Sequence, residues 1–242
     1  MTAVGEATDQ RNPESANPAD PPFSFGDVAQ RYDGLNHLMS LGQDLRWRKI
    51  AAEALDLPDG GRALDVGVGT GDMALALLRR WPGSAIAGVD PTQEMMRVGR
   101  HKPGTERIRW TQGNGLRLPF PTAHFDGVTS AFLMRNVGNV PGALAEQYRV
   151  LRPGGRLVCL EMTWPRTPVL GPLFQFYFAR MMPRITGLLS GQSAAYNYLP
   201  RSVQRFMAPE ELEAAMERVG LRNVRYRLLM MGTVALHTGE RE

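Results

Sequence analysis

A chain of 242 residues, 43% hydrophobic and 21% charged, with a formal net charge of +4, has the composition of a soluble globular protein with enough apolar material for one full core. Its single cysteine, Cys159, excludes an internal disulfide framework; the four scattered histidines give no reason to expect a metal, and no apolar run is long enough to span a bilayer. Lysine occurs only at Lys49 and Lys102, so arginine carries the rest of the positive charge, spread along the chain rather than gathered into the stripe that would suit nucleic acid.

The first 22 residues are polar and carry acids, without the apolar stretch of a secretory signal or the basic amphipathy of a transit peptide. They are expected to form a disordered tail ahead of one domain over 23–242. Residues 26–57 read as a helical cap. From Arg62 onward, apolar runs alternate with amphipathic stretches, the pattern of a parallel sheet flanked by helices. "RALDVG" is the first predicted strand and "DMALALLRRW" the helix after it, stopped by "PG". "AIAGVD" is the second strand, followed by the helix "PTQEMMRVGR" with Pro91 in its first turn. "RIRWTQ" and "FDGVTSAFLM" are the third and fourth strands, "PGALAEQYRVL" a helix, "RPGG" a turn and "RLVCLEM" the fifth strand. An insertion over 165–208, rich in aromatics and methionine, interrupts the alternation. "VRYRLLMMGTVALHTG" then reads as two strands joined near Gly232, an antiparallel end to the sheet.

The stretch "ALDVGVGTGD", residues 63–72, leads from a strand into a helix through three alternate glycines, Gly67, Gly69 and Gly71. Such a turn sets a ligand at a helix N-terminus, where bare backbone allows close approach. Acids surround it: Asp65 inside the strand, Asp72 at the helix start, and Asp90 at the end of the second strand, where a carboxylate can accept both ribose hydroxyls. The spacing departs from the dinucleotide fingerprint, whose third glycine comes later. A carboxylate at the helix start opposes a pyrophosphate and favours a cation. A ligand with a ribose, no phosphate and a positive centre is S-adenosylmethionine. "GNG" at 113–115 follows the third strand, where Asn114 can meet an adenine edge.

The glycine turn resembles the first motif of the class I methyltransferases, which implies an α/β, Rossmann-like, seven-stranded sheet with an antiparallel last strand. Four further stretches are similar to one branch, the ubiquinone/menaquinone biosynthesis C-methyltransferases of the UbiE type. They are "RYDGLNHLMSLGQDLRWRK" in the cap, "LPFPTAHFDGVTSAFLMRNVGNVPGALAEQYRVLRPGGRLVCLE" in the centre, "YNYLPRSVQRFMAPEEL" in the lid and "GTVALHTG" at the close. The resemblance spans residues 25–239, and the Arg-Asn-Val triplet is its most specific part. It implies a cytoplasmic enzyme, peripheral to a membrane through its lipid-tailed substrate, that methylates a ring carbon of a polyprenylated quinol. The leucine-rich cap is closer to members acting on demethylmenaquinone than on the ubiquinone precursor. Cofactor contacts carry over to Thr70, Asp90, Asn114 and Gly115. Phe206-Met207, Ala131 and Val68 depart from the commoner residues, Ala131 at the cost of one polar cofactor contact.

Arg135 and Asn136 follow the fourth strand, at the carboxyl edge where ligands bind in such sheets. Arg135 is expected to stabilise charge and handle a proton at the quinol oxygen, Asn136 to fix that oxygen or the arginine, and Tyr32 to reach the ring or the cofactor from the cap. His124 falls in a surface turn and His237 in the last strand; His37 has a tempting place in the cap, outweighed by simple packing. The aromatic insertion suits a prenyl tail or a membrane interface and equally a lid or a homodimer surface. Methylation of another phenolic or lipid acceptor, or a non-catalytic cofactor-binding subunit, stays open at this point.

Overall fold

The computed structural model describes residues 25–166, 168, 170–177, 180 and 193–242; the expected tail over 1–22 and the middle of the insertion lie outside the described residues. Two helices, α1 (Phe25–Met39) and α2 (Gln43–Ala54), form the cap. Leu41 at φ 53° and Gly42 at φ 75° reverse the chain between them. The sheet strands are β1 (Arg62–Val66), β2 (Ala85–Asp90), β3 (Ile108–Gln112), β4 (Phe125–Ala131), β5 (Leu151–Met162), β6 (Arg222–Leu229) and β7 (Val234–Glu240). Between them run α3 (Asp72–Arg80), α4 (Gln93–Arg100), α5 (Val140–Val150), α6 (Leu170–Phe176), α7 (Ser193–Arg205) and α8 (Pro209–Arg218).

The strand order is β3-β2-β1-β4-β5-β7-β6, with β7 antiparallel to both of its neighbours. This is the seven-stranded sheet with an antiparallel last strand that the sequence predicts. Side chains alternate across it with the strand period of two. Val158 and Leu160 pack with Trp47 and Ala51 of α2 and with Leu55 just after it on one face. Leu157 and Cys159 pack with Leu144 of α5 and Leu212 of α8 on the other. Both faces are therefore covered, and the ligand edge is left at the carboxyl ends of β1, β2 and β4.

Three boundaries differ from the sequence reading. Pro91 precedes α4 instead of sitting in its first turn; Thr92 is the cap residue, held by the Asp90 carboxylate. The predicted fourth strand stops at Ala131, because Phe132 takes a left-handed φ of 60° and Met134–Asn136 form a single tight turn. The "RPGG" turn is part of β5: Leu151 pairs with Phe125 and Arg156 with Gly127, so Arg152–Gly155 bulge between them. The bulge's backbone groups are satisfied from outside the strand pair. Gly154 N–H donates to the Arg241 carbonyl and the Arg241 N–H to that of Gly155.

Candidate active site

The glycine turn is built for close approach. Gly67, Gly69 and Gly71 have φ of 73°, 53° and 89°, a region that side chains rarely enter. A Cβ on Gly67 would stand 2.8 Å from Leu133 and one on Gly71 2.7 Å from Trp110. The turn is pinned to β2, since Gly67 and Val68 N–H both donate to the Val89 carbonyl.

Two acids face this turn. Asp65 is 1% exposed. Its Oδ1 accepts from Thr129 Oγ1 at 3.0 Å, and its Oδ2 is buried with no hydrogen-bond partner. Burial pushes its carboxyl up to about 7, against the lowering effects of Thr129 and Arg48. Asp90 accepts from Gly69 N–H through Oδ2 at 2.9 Å and from Thr92 N–H through Oδ1 at 2.8 Å. Burial raises its carboxyl too. Each Asp90 oxygen keeps acceptor capacity beyond its one backbone bond. Gly113 N–H donates to the Asp90 carbonyl and so brings the turn of Asn114 and Gly115 alongside. Asn114 is exposed and spends its Oδ1 on the Leu116 N–H, an Asx turn that leaves its amide group facing outward. A buried carboxylate oxygen without a partner, next to a bare turn and a hydroxyl-accepting acid, fits a cationic ribosylated ligand and opposes a phosphate.

The third acid is not available in the way the sequence suggests. Asp72 is bound by Lys102 at 2.6 Å, and Lys102 also contacts Asp33 of α1 at 2.6 Å and Thr70 Oγ1 at 3.0 Å. Thr70 in turn donates to Asp33 at 2.5 Å. The charge of Asp72 is thus met within the protein, and the same four residues clasp the cap onto the glycine turn.

Beyond the turn, an apolar cavity of about 470 Å³ opens between the cap, the ends of β4 and β5, α6 and the β6–β7 turn. Met39, Trp47, Phe132, Met162, Phe174 and Met231 supply much of its wall. Phe132 is the pivot: its ring lies 5.1 Å from the Arg48 guanidinium and 5.9 Å from that of Arg135. Its carbonyl accepts from Arg135 Nη1 at 2.7 Å and from Asn136 Nδ2 at 3.3 Å. A left-handed phenylalanine stores backbone strain, and here it does so at the wall of a cavity.

Of the expected acceptor-side residues, Tyr32 and Arg135 line this cavity. The Arg135 side chain is 9% exposed and its Nη1 lies 2.6 Å from Glu161, itself 2% exposed. Glu161 also accepts from the backbone N–H groups of Arg135 and Met162. Asn136 is placed differently. Its Oδ1 accepts from Tyr198 of α7 at 3.1 Å, so it ties the lid to the β4 turn.

Sequence reasoning missed Glu161, Arg48 and Lys102. Arg48 had a local signal, its i,i+4 spacing from Asp44 on a helix that buries both. Glu161 and Lys102 had none, because their partners are distant in sequence. His237 is buried, and its Nε2 lies 2.9 Å from the Pro209 carbonyl.

A model of the ubiE/COQ5 methyltransferase family matches residues 23–241. A demethylmenaquinone methyltransferase of Thermus thermophilus is 45% identical over 219 residues, 90% of this chain and 99% of the relative. A ubiquinone/menaquinone biosynthesis C-methyltransferase UbiE of Geobacter sulfurreducens is 45% identical over 222 residues, 90% and 86% of the two chains. The crystal structure of a SAM-dependent methyltransferase from Aquifex aeolicus superposes with a TM-score of 0.63 at 17% identity, covering 90% of this chain and 98% of the other, and shows the same fold. Sequence, sheet and turn agree, and the chain belongs to the ubiE/COQ5 methyltransferase family, with S-adenosylmethionine as its cofactor.

Proposed function

We propose that this chain methylates a ring carbon of a polyprenylated quinol, converting demethylmenaquinol to menaquinol. The observation that carries the reading is the 470 Å³ apolar cavity, lined by two buried arginines and by Phe132, whose chain neighbour Leu133 packs against Gly67 of the glycine turn. An aromatic quinol head fits a wall of aromatic and methionine side chains.

The cofactor, when bound, supplies an electrophilic methyl group. Asp90 accepts its ribose hydroxyls, the turn residues Gly67, Gly69, Thr70 and Gly71 give it room, and Asp65 offers a buried negative charge to its cationic part. Asn114 and Gly115 border its base. The remaining chemistry belongs to the acceptor. A quinol carbon becomes nucleophilic as the neighbouring hydroxyl loses a proton that ordinarily leaves near pH ~10. Two fixed guanidinium groups in an apolar site stabilise the resulting oxygen charge. Glu161 and the Phe132 carbonyl lock one nitrogen of Arg135, so the rest of its fork meets the oxygen in a set orientation. A guanidinium does not give up its own proton near neutral pH, so Arg135 keeps the charge-stabilising role and the base is sought elsewhere. Tyr32 contacts the ring from the cap, and Asn136 acts on it at one remove, through the lid.

The cavity rim supports peripheral contact with a membrane. Leu41, Phe176, Met230 and Met231 line the cavity and are 76%, 54%, 41% and 66% exposed. Leu38 and Leu45, either side of Leu41, are exposed as well, with Arg46 and Arg227 close by in the chain. No helix among the described residues is long and apolar enough to cross a membrane. Methyl-labelled cofactor supplied with demethylmenaquinol, and separately with the ubiquinone precursor, tests the function. Label is expected in the first lipid at the higher kcat/KM, and no label in either overturns the reading.

A further inference from the structure

Ring methylation leaves one proton over, and an apolar cavity has to dispose of it. The charged and titratable side chains lining the cavity are Arg48 and Arg135, the phenols Tyr32 and Tyr177, and one carboxylate, Asp44. Asp44 is therefore the single carboxylate among the described lining residues. It is 3% exposed, so it does not reach water by itself. Its Oδ1 accepts from Ser40 Oγ at 2.7 Å, and its Oδ2 lies 2.8 Å from His37 Nδ1 and 4.0 Å from Arg48 Nε. His37 stands on α1 with its side chain 35% exposed. Two groups in hydrogen-bond contact thus connect the inside of the cavity with the surface of the cap.

We propose that Asp44 is the base of the methylation and that His37 relays the proton to solvent; the inference rests on the quinol reading above. The hydroxyl O–H bond breaks, its proton going to the Asp44 carboxylate and its electron pair staying on oxygen, from which it enriches the neighbouring ring carbon. That carbon bonds the methyl group as the carbon–sulfur bond breaks with its pair on sulfur. The ring C–H bond at the same carbon then breaks, its pair restoring the aromatic ring and its proton returning to the ring oxygen. The net proton sits on Asp44. It passes 2.8 Å to His37 Nδ1 and leaves from the other ring nitrogen to water. Asp44 touches the cavity and is the catalytic group; His37 acts through it.

Other charges face the pair. Arg48 from α2 approaches Asp44, and a carboxylate oxygen of Asp72 lies within 4.8 Å of donor atoms of both His37 and Asp44. The three groups could surround a cation, but Lys102 already holds Asp72 at 2.6 Å and Asp33 beside it. A fixed positive charge there removes the need for a metal and leaves His37 free to move a proton.

The test is Asp44→Asn, which keeps an oxygen for Ser40 and cannot take a proton. On demethylmenaquinol its kcat is expected to fall at least about 100-fold, the lower end of what a positioned base contributes. Its cofactor Kd, measured by calorimetry, stays at the wild-type value, and its residual rate climbs with pH as hydroxide substitutes for the carboxylate. His37→Gln is expected to lose roughly tenfold, a relay weighing less than the base itself, and added imidazole restores the rate. A wild-type kcat and pH profile in Asp44→Asn overturns the proposal, as does a His37→Gln enzyme at full rate or one that imidazole does not rescue. If Asp44→Asn does not fold, His37→Gln with imidazole decides alone. A wild-type enzyme that methylates no quinol is a different result: it removes the functional reading, whereas active wild type with indifferent variants removes only the relay.

Discussion

Asp65 sits in the interior with one oxygen unsatisfied, and the fold bears the cost. Its carboxyl titrates near 3.8 in an unfolded chain and is pushed up to about 7 by burial. Between those values the folded protein holds a proton that the unfolded chain has released, so stability falls as pH rises through this window. The full penalty, up to about 4 kcal/mol, is present above pH ~7. Asp65→Asn removes the titration, so the loss of stability between pH 5 and pH 8 is expected to shrink by about 2–3 kcal/mol, the part of the window above pH 5, in thermal melts of ligand-free protein. Cofactor affinity moves the other way: it rises with pH through 7 in wild type, and in the variant it is weaker and flat. Equal pH slopes in the two proteins refute the assignment. Arg135→Lys tests the other buried charge. Lysine keeps the positive charge and loses the planar fork that spans Glu161 and the Phe132 carbonyl. Turnover is expected to drop at least about tenfold at saturating substrate, equal to about 1.4 kcal/mol of transition-state stabilisation, with cofactor affinity unchanged. Loss of cofactor binding at a normal rate contradicts it. At this scale the sequence displayed Asp65, Asp90 and Arg135, because each adjoins a turn or strand end that the pattern reveals. It hid Glu161, whose meaning lies in a partner 26 residues away.

The elements were legible where period and punctuation agree, and illegible where tertiary bonds override them. "FDGVTSAFLM" runs on as Phe-Leu-Met beyond Ala131, and nothing local says that the strand ends there; the left-handed backbone of Phe132 and the tight turn at Met134–Asn136 end it. "RPGG" carries every mark of a turn, yet the chain's far end at Arg241 supplies the bonds that hold it in β5. The cap was visible as helix, but its attachment was not. α1 is held on the glycine turn by Asp33, Thr70, Asp72 and Lys102, with the three charged side chains 13–21% exposed. Removing the lysine leaves two carboxylates facing each other. Lys102→Met is expected to cost about 1–2 kcal/mol in cap closure, between an exposed and a buried pair. The amides of α1 then exchange hydrogen roughly 5- to 30-fold faster, and cofactor affinity drops because Thr70 loses one of its two partners. Unchanged protection of α1 rules out the clasp.

At the scale of the whole molecule, polarity is distributed unevenly: the glycine turn and its acids gather at the carboxyl ends of β1 and β2, and the apolar cavity has its exposed side chains at Leu41, Phe176, Met230 and Met231. A quinol with a long prenyl tail cannot be enclosed by 470 Å³ beyond its head and first units, so on the proposed membrane contact the tail remains in lipid while the head enters. That proposal has the molecule resting on the bilayer by this rim first. Leu38 and Leu45 belong to that exposed surface and do not line the cavity, so they separate docking from catalysis. Burying such side chains in the interface contributes up to about 1.5–3 kcal/mol each, and each nearby arginine about 1 kcal/mol against an anionic surface. Replacing Leu38 and Leu45 together by Ser is expected to weaken binding to anionic vesicles by at least about tenfold in co-sedimentation, a loss of about 1.4 kcal/mol or more. Wild-type binding weakens in high salt, as the arginine contribution is screened. Turnover of vesicle-borne quinol falls in parallel, while a short-tailed quinol added in solution is methylated at the wild-type rate. Equal vesicle binding by the variant and wild type places the membrane face elsewhere. Equal loss on both substrates makes these leucines part of the cap's packing instead of its contact with lipid.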